Sequence, residues 1–275
     1  MESDQIKALR RVVWHYYRRA GRDLPWRRTR NPYRILVSEM MLQQTQVGRV
    51  LPKYPEFLRS FPTVRALAEA PLAAVLRMWS GLGYNRRAFF LKRAAEIIVR
   101  EHRGRVPRSA KALEQLPGIG AYTARAVLCF AFDEPVVFLE TNIRSVFIHY
   151  FFAERAKGGS AVSDREIEAL VEAALDERRS PREWYFALMD YGAHLKKTIG
   201  NPNRASMQYT RQSRFAGSER EARGRTLKLL LSGARSADEL ASLSKLSRSR
   251  VRRALSSLAH DGLVVKDSGR YSLKE

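Results

Sequence analysis

Cysteine and long apolar runs are both scarce in this sequence. The single cysteine, Cys129, lies in the apolar run 126–132, where we expect it to be a small buried hydrophobic side chain. One cysteine excludes an intrachain disulfide and any cysteine-ligated cluster, and the five histidines show no metal-ligand spacing. Because no apolar run approaches a membrane span and the N-terminus lacks a signal-peptide core, we expect a cytoplasmic protein with no membrane partner.

Acidic residues are also few relative to basic ones. The 275 residues include 28 Asp and Glu against 50 Lys and Arg, which gives a net charge of +22. With 45% hydrophobic residues the chain has enough apolar material to fold, so this charge indicates a folded protein with a strong positive field. A nucleic acid is the partner that such a field favours, and we expect nucleoid association. The alternative is a surface rich in solvated arginine without a polyphosphate partner.

Two of the sixteen glycines stand in the most informative segment of the chain, Leu116-Pro-Gly-Ile-Gly-Ala-Tyr-Thr123. Its glycines allow a sharp turn and a close approach of the backbone to a ligand. The helix predicted over 123–132 then points its first N–H groups at an anion, which suits a nucleic-acid phosphate. A lone carboxylate, Glu140, follows and would lie beside a clamped DNA backbone. A Pro-Gly-x-Gly string is also an ordinary turn, so the segment alone leaves phosphate binding open.

Helical spacing of apolar residues extends through most of residues 1–200. Clear amphipathic helices are predicted over 4–19, 86–102 and 164–176, with Thr63 as an N-cap. The body is therefore predicted to be an all-α domain of about ten helices.

A second unit is predicted after a basic, apolar-poor linker at about 200–216. A helix, a capping box at 236–239, a further helix and a hairpin around Asp-Ser-Gly follow in the order of a winged helix. We therefore predict domains at 1–216 and 217–275. The second helix of the pair bears Arg248, Arg250, Arg252 and Arg253, as a DNA-contacting helix would. The alternative is a protein–protein module.

A second candidate carboxyl lies in the helix that follows Asn31-Pro32-Tyr33. Glu39 is flanked by apolar residues and is followed by a polar Gln-Gln-Thr-Gln block. Partial desolvation would raise its pKa and suit a general acid. A glutamate satisfied by an arginine on a helix face is the simpler interpretation.

Six motifs occur in the order found in one known family. They are Trp26-Arg27, Asn31-Pro32-Tyr33, Ser38-Glu39-x-Met-Leu-Gln-Gln-Thr-Gln, Trp79-Ser-Gly-Leu-Gly-Tyr84, Leu116-Pro-Gly-Ile-Gly-x-Tyr-Thr123 and Met189-Asp-x-Gly-Ala193. Over about residues 5–200 the chain resembles the helix-hairpin-helix (HhH-GPD) DNA glycosylases, most closely the MutY-type adenine glycosylases. The resemblance implies a two-lobed helical fold, with the small winged-helix unit added after it.

The resemblance also implies roles for individual residues on a flipped-out nucleotide. Leu82 and Tyr84 match the wedge that enters the base stack, and Gln44 and Thr45 match residues that meet the opposite base, typically 8-oxoguanine. The glycines Gly118 and Gly120 belong to the phosphate-binding hairpin. The residues that match the pocket around the extruded adenine are Trp26, Arg27 and Asp190.

The implied chemistry is hydrolysis of the N-glycosidic bond. Glu39 would protonate adenine at N7, and the Glu140 carboxylate would stabilise the oxocarbenium-like sugar. Asn142 fits an orienting amide, and Tyr122 helps to shape the site. Because Tyr122 stands where bifunctional relatives have a Schiff-base lysine, we expect a monofunctional enzyme.

The chain departs from the family pattern in three places. Glu140 replaces an aspartate, in a Leu-Glu-Thr-Asn-Ile string where a Leu-Asp-Gly-Asn-Val-like string is usual. The four cysteines that bind an iron–sulfur cluster are missing from 192–207, so we expect no such cluster. A structural monovalent cation at the hairpin is the one bound ion that we still consider. A winged helix stands where a Nudix-like domain is common. We expect the cluster loop's DNA contacts to come from Lys196, Lys197, Arg204 and Arg211.

Two other functions stay open at this point. Glu140 leaves room for a glycosylase of the same fold that removes thymine or uracil from mismatches with guanine. The basic two-unit chain would also suit a non-catalytic protein that binds DNA lesions. In each case the expected partner is double-stranded DNA with a mispair or lesion, bound by a monomer.

Overall fold

The computed structural model describes residues 2–176, 179–211 and 213–274, and it is largely helical. The α-helices are α1 Glu2–Ala20, α2 Pro32–Leu42, α3 Val47–Ser60, α4 Val64–Glu69, α5 Leu72–Trp79, α6 Arg86–Glu101, α7 Ala110–Glu114, α8 Ala121–Phe132, α9 Thr141–Phe151, α10 Ala153–Lys157, α11 Asp164–Ala174, α12 Pro181–Thr198, α13 Glu219–Leu230, α14 Ala237–Ser244 and α15 Arg248–His260. The strands are β1 Arg235–Ser236, β2 Val264–Asp267 and β3 Arg270–Leu273. The all-α prediction for the body is confirmed, and none of the described helices is long and apolar enough to cross a membrane.

The chain forms two compact units that do not follow its linear order. The first unit contains residues up to 35, 108–110 and 120–211, and the second contains 36–107, 111–119 and the described residues after 212. The division into domains at 1–216 and 217–275 stays a prediction.

The first unit is built around the pair α9 and α12, with α1 and α8 packed on α12 and α11 packed on α9. Aromatic rings fill its centre: Phe138 stacks on Tyr185 at 3.9 Å, and Phe130 stacks on Phe186 at 4.8 Å. The buried Tyr185 hydroxyl donates to the Val136 carbonyl at 2.8 Å, so the polar atom of that side chain has a hydrogen-bond partner. This aromatic core fixes the segment that leads into α9.

The first part of the expected linker at about 200–216 is packed against the rest of the first unit. A 3-10 turn at Pro202–Ala205 follows α12 and contacts α9. The Val162 N–H donates to the Ala205 carbonyl at 2.8 Å, and the Met207 N–H donates to the Val162 carbonyl at 2.9 Å. Residues 200–207 are therefore held on the first unit by backbone hydrogen bonds, which the polar composition of the segment did not indicate.

In the helical part of the second unit, α4 and α5 pack on α6, and α3 packs on α5. Thr63 caps α4 as predicted, because its hydroxyl accepts the Ala66 N–H at 3.1 Å. Trp79 and Phe57 are both buried and meet edge to face at 5.9 Å.

The C-terminal part of the second unit has the order of elements of a winged helix. The predicted capping box between Ser236 and Glu239 is present and opens α14. Strands β2 and β3 pair through a turn at Ser268 and Gly269, both with positive φ, as a two-residue hairpin requires. The structure adds a strand that the sequence did not predict, because β1 is two residues long and pairs with β3 to give the order β1-β3-β2.

Candidate active site and DNA-reading surface

Glu140 occupies the N-cap position of α9. One carboxylate oxygen, Oε1, accepts the backbone N–H groups of Asn142 at 2.7 Å and Ile143 at 3.0 Å. The other, Oε2, accepts the Asn142 side-chain amide at 3.1 Å. The side chain is thus folded back over the start of its own helix, and its extra methylene relative to aspartate does not carry the carboxylate straight outward. The Asn142 amide therefore contacts this carboxylate directly, and its role in orienting Glu140 for catalysis stays a prediction.

Burial and a nearby cation act on the Glu140 carboxyl in opposite directions. Loss of solvent raises its pKa above the ordinary value, while the Lys196 charge and the hydrogen bonds at the helix N-terminus work to lower it. Burial likewise lowers the pKa of Lys196, which the charge of Glu140 opposes. Lys196 is half-buried, and its charge acts on the Glu140 carboxylate. We expected Lys196 to contact DNA, and its side chain is less exposed than such a contact requires.

The approach of α12 to α9 depends on Gly192. A Cβ atom built on Gly192 would lie 2.2 Å from the Asn142 carbonyl oxygen, which is far inside van der Waals contact. Lys196 is one helical turn after Gly192 and so shares its face of α12. That spacing is the signal from which the sequence alone could have indicated that Lys196 lies near Glu140.

Asp190 and Arg27, two of the residues predicted for the adenine pocket, form a buried ion pair. The Asp190 carboxylate accepts hydrogen bonds from Arg27 Nη1 at 2.8 Å and Nη2 at 2.7 Å. It also accepts the Arg22 backbone N–H at 2.7 Å and Arg22 Nε at 2.6 Å. Although burial acts to raise it, the hydrogen bonds and charges of the two arginines hold the pKa of Asp190 below its usual value. The sequence did not indicate Arg22.

The 3-10 turn Pro25–Arg27 places the third pocket residue, Trp26, in a buried position. The Arg27 guanidinium lies 4.5 Å from the centre of the Phe186 ring, and the buried Arg182 donates to the Arg27 and Thr29 carbonyls at 2.7 Å each. A network of arginines therefore holds this loop to α12. Tyr122, on α8, is half-buried and meets the edge of Phe138 at 5.7 Å.

Glu39 belongs to the second unit and lies in the middle of α2. Its side chain is almost fully removed from solvent, since the residue is 5% exposed, and its neighbours Ser38 and Met40 are buried too. The desolvated position expected for this carboxyl is therefore present.

A buried arginine that the sequence analysis missed, Arg87, organises the loops around α2 and α6. Arg87 Nη1 donates to the Met40 and Met41 carbonyls at 2.9 Å each, and also to the Gln43 carbonyl. Arg87 Nη2 donates to Thr45 Oγ1 at 2.9 Å and to the Gly83 carbonyl at 3.0 Å. Burial lowers the pKa of Arg87 to about 10, so the group keeps its charge at neutral pH.

The residues predicted to meet the opposite base and the base stack lie on those two loops. Gln44 and Tyr84 both adopt left-handed backbone conformations, with φ of 53° and 47°, which non-glycine residues seldom do. Leu82 is 2% exposed and lies in the core, whereas Tyr84 is half-buried. Burial therefore favours Tyr84 over Leu82 as the residue that meets DNA.

The hairpin glycines have different physical roles. Gly118 has a φ of +77°, and a Cβ there would lie 2.8 Å from Phe90 Cβ. Gly120 has ordinary extended geometry and precedes the first residue of α8. The conformational demand of the motif therefore falls on Gly118. A monovalent cation at the hairpin stays a prediction.

The arginines of α15 divide into two pairs. Arg250 donates to the Ser218 carbonyl at 3.1 Å, and Arg253 pairs with Glu219 at 3.1 Å, so both attach α15 to the start of α13. Arg248 and Arg252 are exposed, and Arg248 forms an ion pair with Asp238 at 2.9 Å. Contact of the α15 arginines with DNA stays a prediction.

The chain does not fit an iron–sulfur cluster, because its one cysteine is buried within α8. In the described parts of the chain, no group of three or more His, Cys, Asp and Glu side chains could hold a metal ion. The segment after Gly192 is held instead by the backbone pairing of residues 205–207 with Val162.

Comparison with known proteins adds independent findings. Residues 37–172 match the family model described as HhH-GPD superfamily base excision DNA repair protein, and residues 219–274 match that of the sugar-specific transcriptional regulator TrmB. A solved structure of a thermostable thymine-DNA glycosylase has a TM-score of 0.61 and 28% identity, covering 69% of this chain and 87% of that one. A trapped endonuclease III–DNA complex has a TM-score of 0.57 at 20% identity and supports the fold alone.

Full-length relatives agree with this assignment. The adenine DNA glycosylase of Mycobacterium tuberculosis is 36% identical over 94% of this chain and 91% of its own length. That of Mycolicibacterium smegmatis is 38% identical over 94% and 93%. Given this similarity over nearly the whole of both chains, the chain belongs to the adenine DNA glycosylase family, within the HhH-GPD superfamily of base excision DNA repair proteins.

Proposed function

We propose that the protein removes adenine mispaired with 8-oxoguanine or guanine from double-stranded DNA, as a monofunctional glycosylase that contains no iron–sulfur cluster. Two observations together support this most. The chain has carboxyls, Glu39 and Glu140, at both positions that match the family's catalytic ones, and relatives named adenine DNA glycosylases are similar to it along nearly its whole length. A protein that only bound DNA would gain nothing from two carboxyls at positions that match the family's catalytic ones, because acids weaken binding to phosphate.

The reaction assigns a distinct task to each carboxyl. Glu39 donates its proton to adenine N7, and the bond between C1′ and N9 breaks as the base leaves in neutral form. The sugar then bears the positive charge of an oxocarbenium-like species, which the ionised Glu140 stabilises until water adds at C1′. Glu39 must therefore be protonated and Glu140 ionised in the active enzyme.

Two opposing effects act on the charge state of Glu140. Burial raises the pKa of its carboxyl above the ordinary value, while the Lys196 charge, the backbone donors at the start of α9 and the Asn142 amide favour the ionised carboxylate. The same donors fix its orientation. Because Tyr122 cannot form a Schiff base, strand cleavage is not part of the proposed reaction.

A second candidate is removal of thymine or uracil from mismatches with guanine. It is favoured by the similarity of the fold to a thermostable thymine-DNA glycosylase and by the replacement of the usual aspartate with Glu140. The two activities differ in their need for Glu39, because a pyrimidine that departs as an anion requires no proton at N7.

A panel of four duplexes tests the proposal. The protein is incubated with adenine opposite 8-oxoguanine, adenine opposite guanine, thymine opposite guanine and uracil opposite guanine, and each product is treated with hot alkali. Alkali-dependent cleavage at adenine is expected, and its loss in Glu39→Gln would assign the proton donor. Cleavage only at thymine or uracil would support the second candidate, and tight binding without cleavage would indicate a lesion-binding protein.

A further inference from the structure

The winged-helix elements in the C-terminal part of the second unit have no task in the proposed excision reaction. Helices α14 and α15 are joined by a short turn, 245–247, in which Lys245 adopts a left-handed conformation with φ of 54°. Two helices joined by such a turn form a helix-turn-helix, whose second helix can enter the major groove of DNA. The side of α15 that faces solvent is therefore a candidate binding surface.

That side of α15 is polar and basic, whereas apolar residues such as Val251 and Leu255 are buried on the opposite side. The residues exposed over 248–257, which we call the α15 surface, are Arg248, Ser249, Arg252, Arg253 and Ser256. Ser249 and Ser256 lie two helical turns apart, with Arg252 between them on the same face. Their small side chains would let the helix backbone come close to base edges in a groove about 12 Å wide.

The three arginines of the α15 surface are all open to a phosphate. Arg248 pairs with Asp238 at 2.9 Å and Arg253 pairs with Glu219 at 3.1 Å, but the side chains of both pairs are exposed. Exposed ion pairs contribute little, so a DNA phosphate could take the place of either carboxylate. Arg252 makes no hydrogen bond or ion pair within the part of the chain that the structure describes, and it is the most available of the three.

The composition of the α15 surface favours a nucleic acid over a protein partner. The centre of a protein interface is usually poor in charge and enriched in aromatic side chains. Residues 248–257, all of which the structure describes, expose neither an aromatic nor a large apolar side chain. The large apolar residues that the C-terminal part exposes, Leu243 and Val265, lie on α14 and β2. Arginine and serine together are side chains that contact phosphates and base edges.

Asp261, immediately after α15, attaches this helix to the rest of the second unit. Its carboxylate accepts a hydrogen bond from Arg223 of α13 and lies 3.5 Å from Arg86 Nε of α6. The Asp261 side chain is 8% exposed, so these contacts are shielded from solvent. Arg223 also donates to the Ser257 hydroxyl near the end of α15. The α15 surface is therefore held in a fixed orientation relative to α6, as a rigid part of the same unit.

We propose that the α15 surface, with Arg252 at its centre, is a second DNA-binding surface that holds undamaged double-stranded DNA with α15 in the major groove. It contacts paired duplex and neither a flipped nor a mispaired base, so its contribution to affinity does not depend on a lesion. Electrostatic contacts of this kind let a protein stay on DNA and move along it while the excision site is empty. The inference goes beyond the proposed function and is independent of which base is excised.

The first test compares two charge reversals in the full chain. Binding to a long undamaged duplex is measured at several salt concentrations for Arg252→Glu and for Lys228→Glu, which is exposed on α13 outside the α15 surface. Both substitutions change the net charge equally. Arg252→Glu is expected to lower affinity at least about tenfold and to reduce the slope of log K against log salt by about 1, whereas Lys228→Glu should change affinity less than about threefold. Thermal unfolding confirms that both variants are folded.

The second test locates the contact by cross-linking. The one native cysteine, Cys129, is buried, so a cysteine introduced on α15 can be labelled selectively with a photoactivatable group. Labelled Ser256→Cys is expected to cross-link to the undamaged duplex, and labelled Lys228→Cys is not.

Equal losses of affinity in the two charge reversals would show a general effect of charge and overturn the inference. Absence of cross-linking from Ser256→Cys would overturn it too and favour a protein partner for the C-terminal part. Failure of the unaltered protein to excise adenine would overturn the proposed function alone, because the duplex in both tests contains no lesion.

Discussion

Several arginines of this chain are buried and organise loops, although the excess of basic residues indicated a surface for DNA. Arg87 and Arg182 each donate to backbone carbonyls from more than one segment, and Arg22 and Arg27 enclose Asp190. A planar guanidinium offers five donors in fixed directions, which suits a cluster of carbonyl oxygens better than a lysine ammonium does. Part of the positive charge therefore serves the architecture of the candidate site.

Replacing Arg87 by lysine should destabilise the second unit. Lysine carries its three donors on one nitrogen and cannot reach the Met40, Thr45 and Gly83 acceptors together, so buried oxygens would lose their partners. We expect Arg87→Lys to lower the free energy of unfolding by about 2–3 kcal/mol in urea denaturation. The exposed Arg93 on the same helix provides the control, and Arg93→Lys should change it by less than about 0.5 kcal/mol. Equal effects of the two substitutions would contradict the account.

Removing the Lys196 charge should move the pH profile of excision. Glu140 must be ionised to act, and burial raises its pKa, so the acidic limb of the rate should lie above the ordinary glutamate value of 4.5. Lys196 lowers the pKa of Glu140, and Lys196→Met should therefore shift that limb to higher pH in single-turnover assays. Lys197→Met, at an exposed neighbouring position, should leave the limb in place. An unmoved limb in Lys196→Met would show that Lys196 does not act on the carboxylate.

Helices α9 and α12 meet where the candidate catalytic carboxylate is held, and their contact depends on one glycine. A Cβ at position 192 would overlap the Asn142 carbonyl oxygen, to which only backbone movement can respond. We expect Gly192→Ala to cost about 2–3 kcal/mol of stability and to impair excision, because Asn142 orients Glu140. Both effects can be measured by thermal unfolding and single-turnover kinetics.

Gly224 provides the contrast for that experiment. It lies inside α13, and a Cβ there would meet no atom within 4 Å. Gly224→Ala should stabilise the protein by about 0.5–1 kcal/mol, since alanine is the better helix former. Destabilisation by both substitutions to the same degree would remove the special role assigned to Gly192.

Secondary structure could be predicted from the sequence where local chemistry dictates it. The capping box at Ser236 and the N-cap at Thr63 depend only on neighbouring residues, and both are present. Strand β1 could not be predicted, because two residues show no alternation and its pairing with β3 is a tertiary contact. The same holds for the candidate site. The motifs indicated Glu39 and Glu140, whereas the hydrogen bond from Arg87 to the Met40 carbonyl joins residues more than 40 positions apart and could not be predicted from local sequence.

At the scale of the whole molecule, the net charge of +22 should make DNA binding strongly dependent on salt. The exposed Lys197, Arg204 and Arg211 lie in or after the segment where the usual cluster ligands are missing. Replacing all three by alanine should lower affinity and reduce the slope of log K against log salt by about 2–3. As a control, Arg155→Ala removes a cation that is already paired with Glu166 and should change the slope by less than one such contact. An unchanged slope in the triple variant would exclude these residues from the DNA interface.

We propose that Glu140 performs the task of the aspartate usual in this family. Its most direct test is the single-turnover rate of adenine release opposite 8-oxoguanine in the unaltered protein, Glu140→Gln and Glu140→Asp. Glutamine can still accept the Asn142 and Ile143 N–H groups, so α9 should keep its cap and the melting temperature should change little. We expect at least a hundredfold loss of rate in Glu140→Gln, with activity retained in Glu140→Asp. A Glu140→Gln rate equal to that of the unaltered protein would contradict it and leave Glu140 as a helix cap alone.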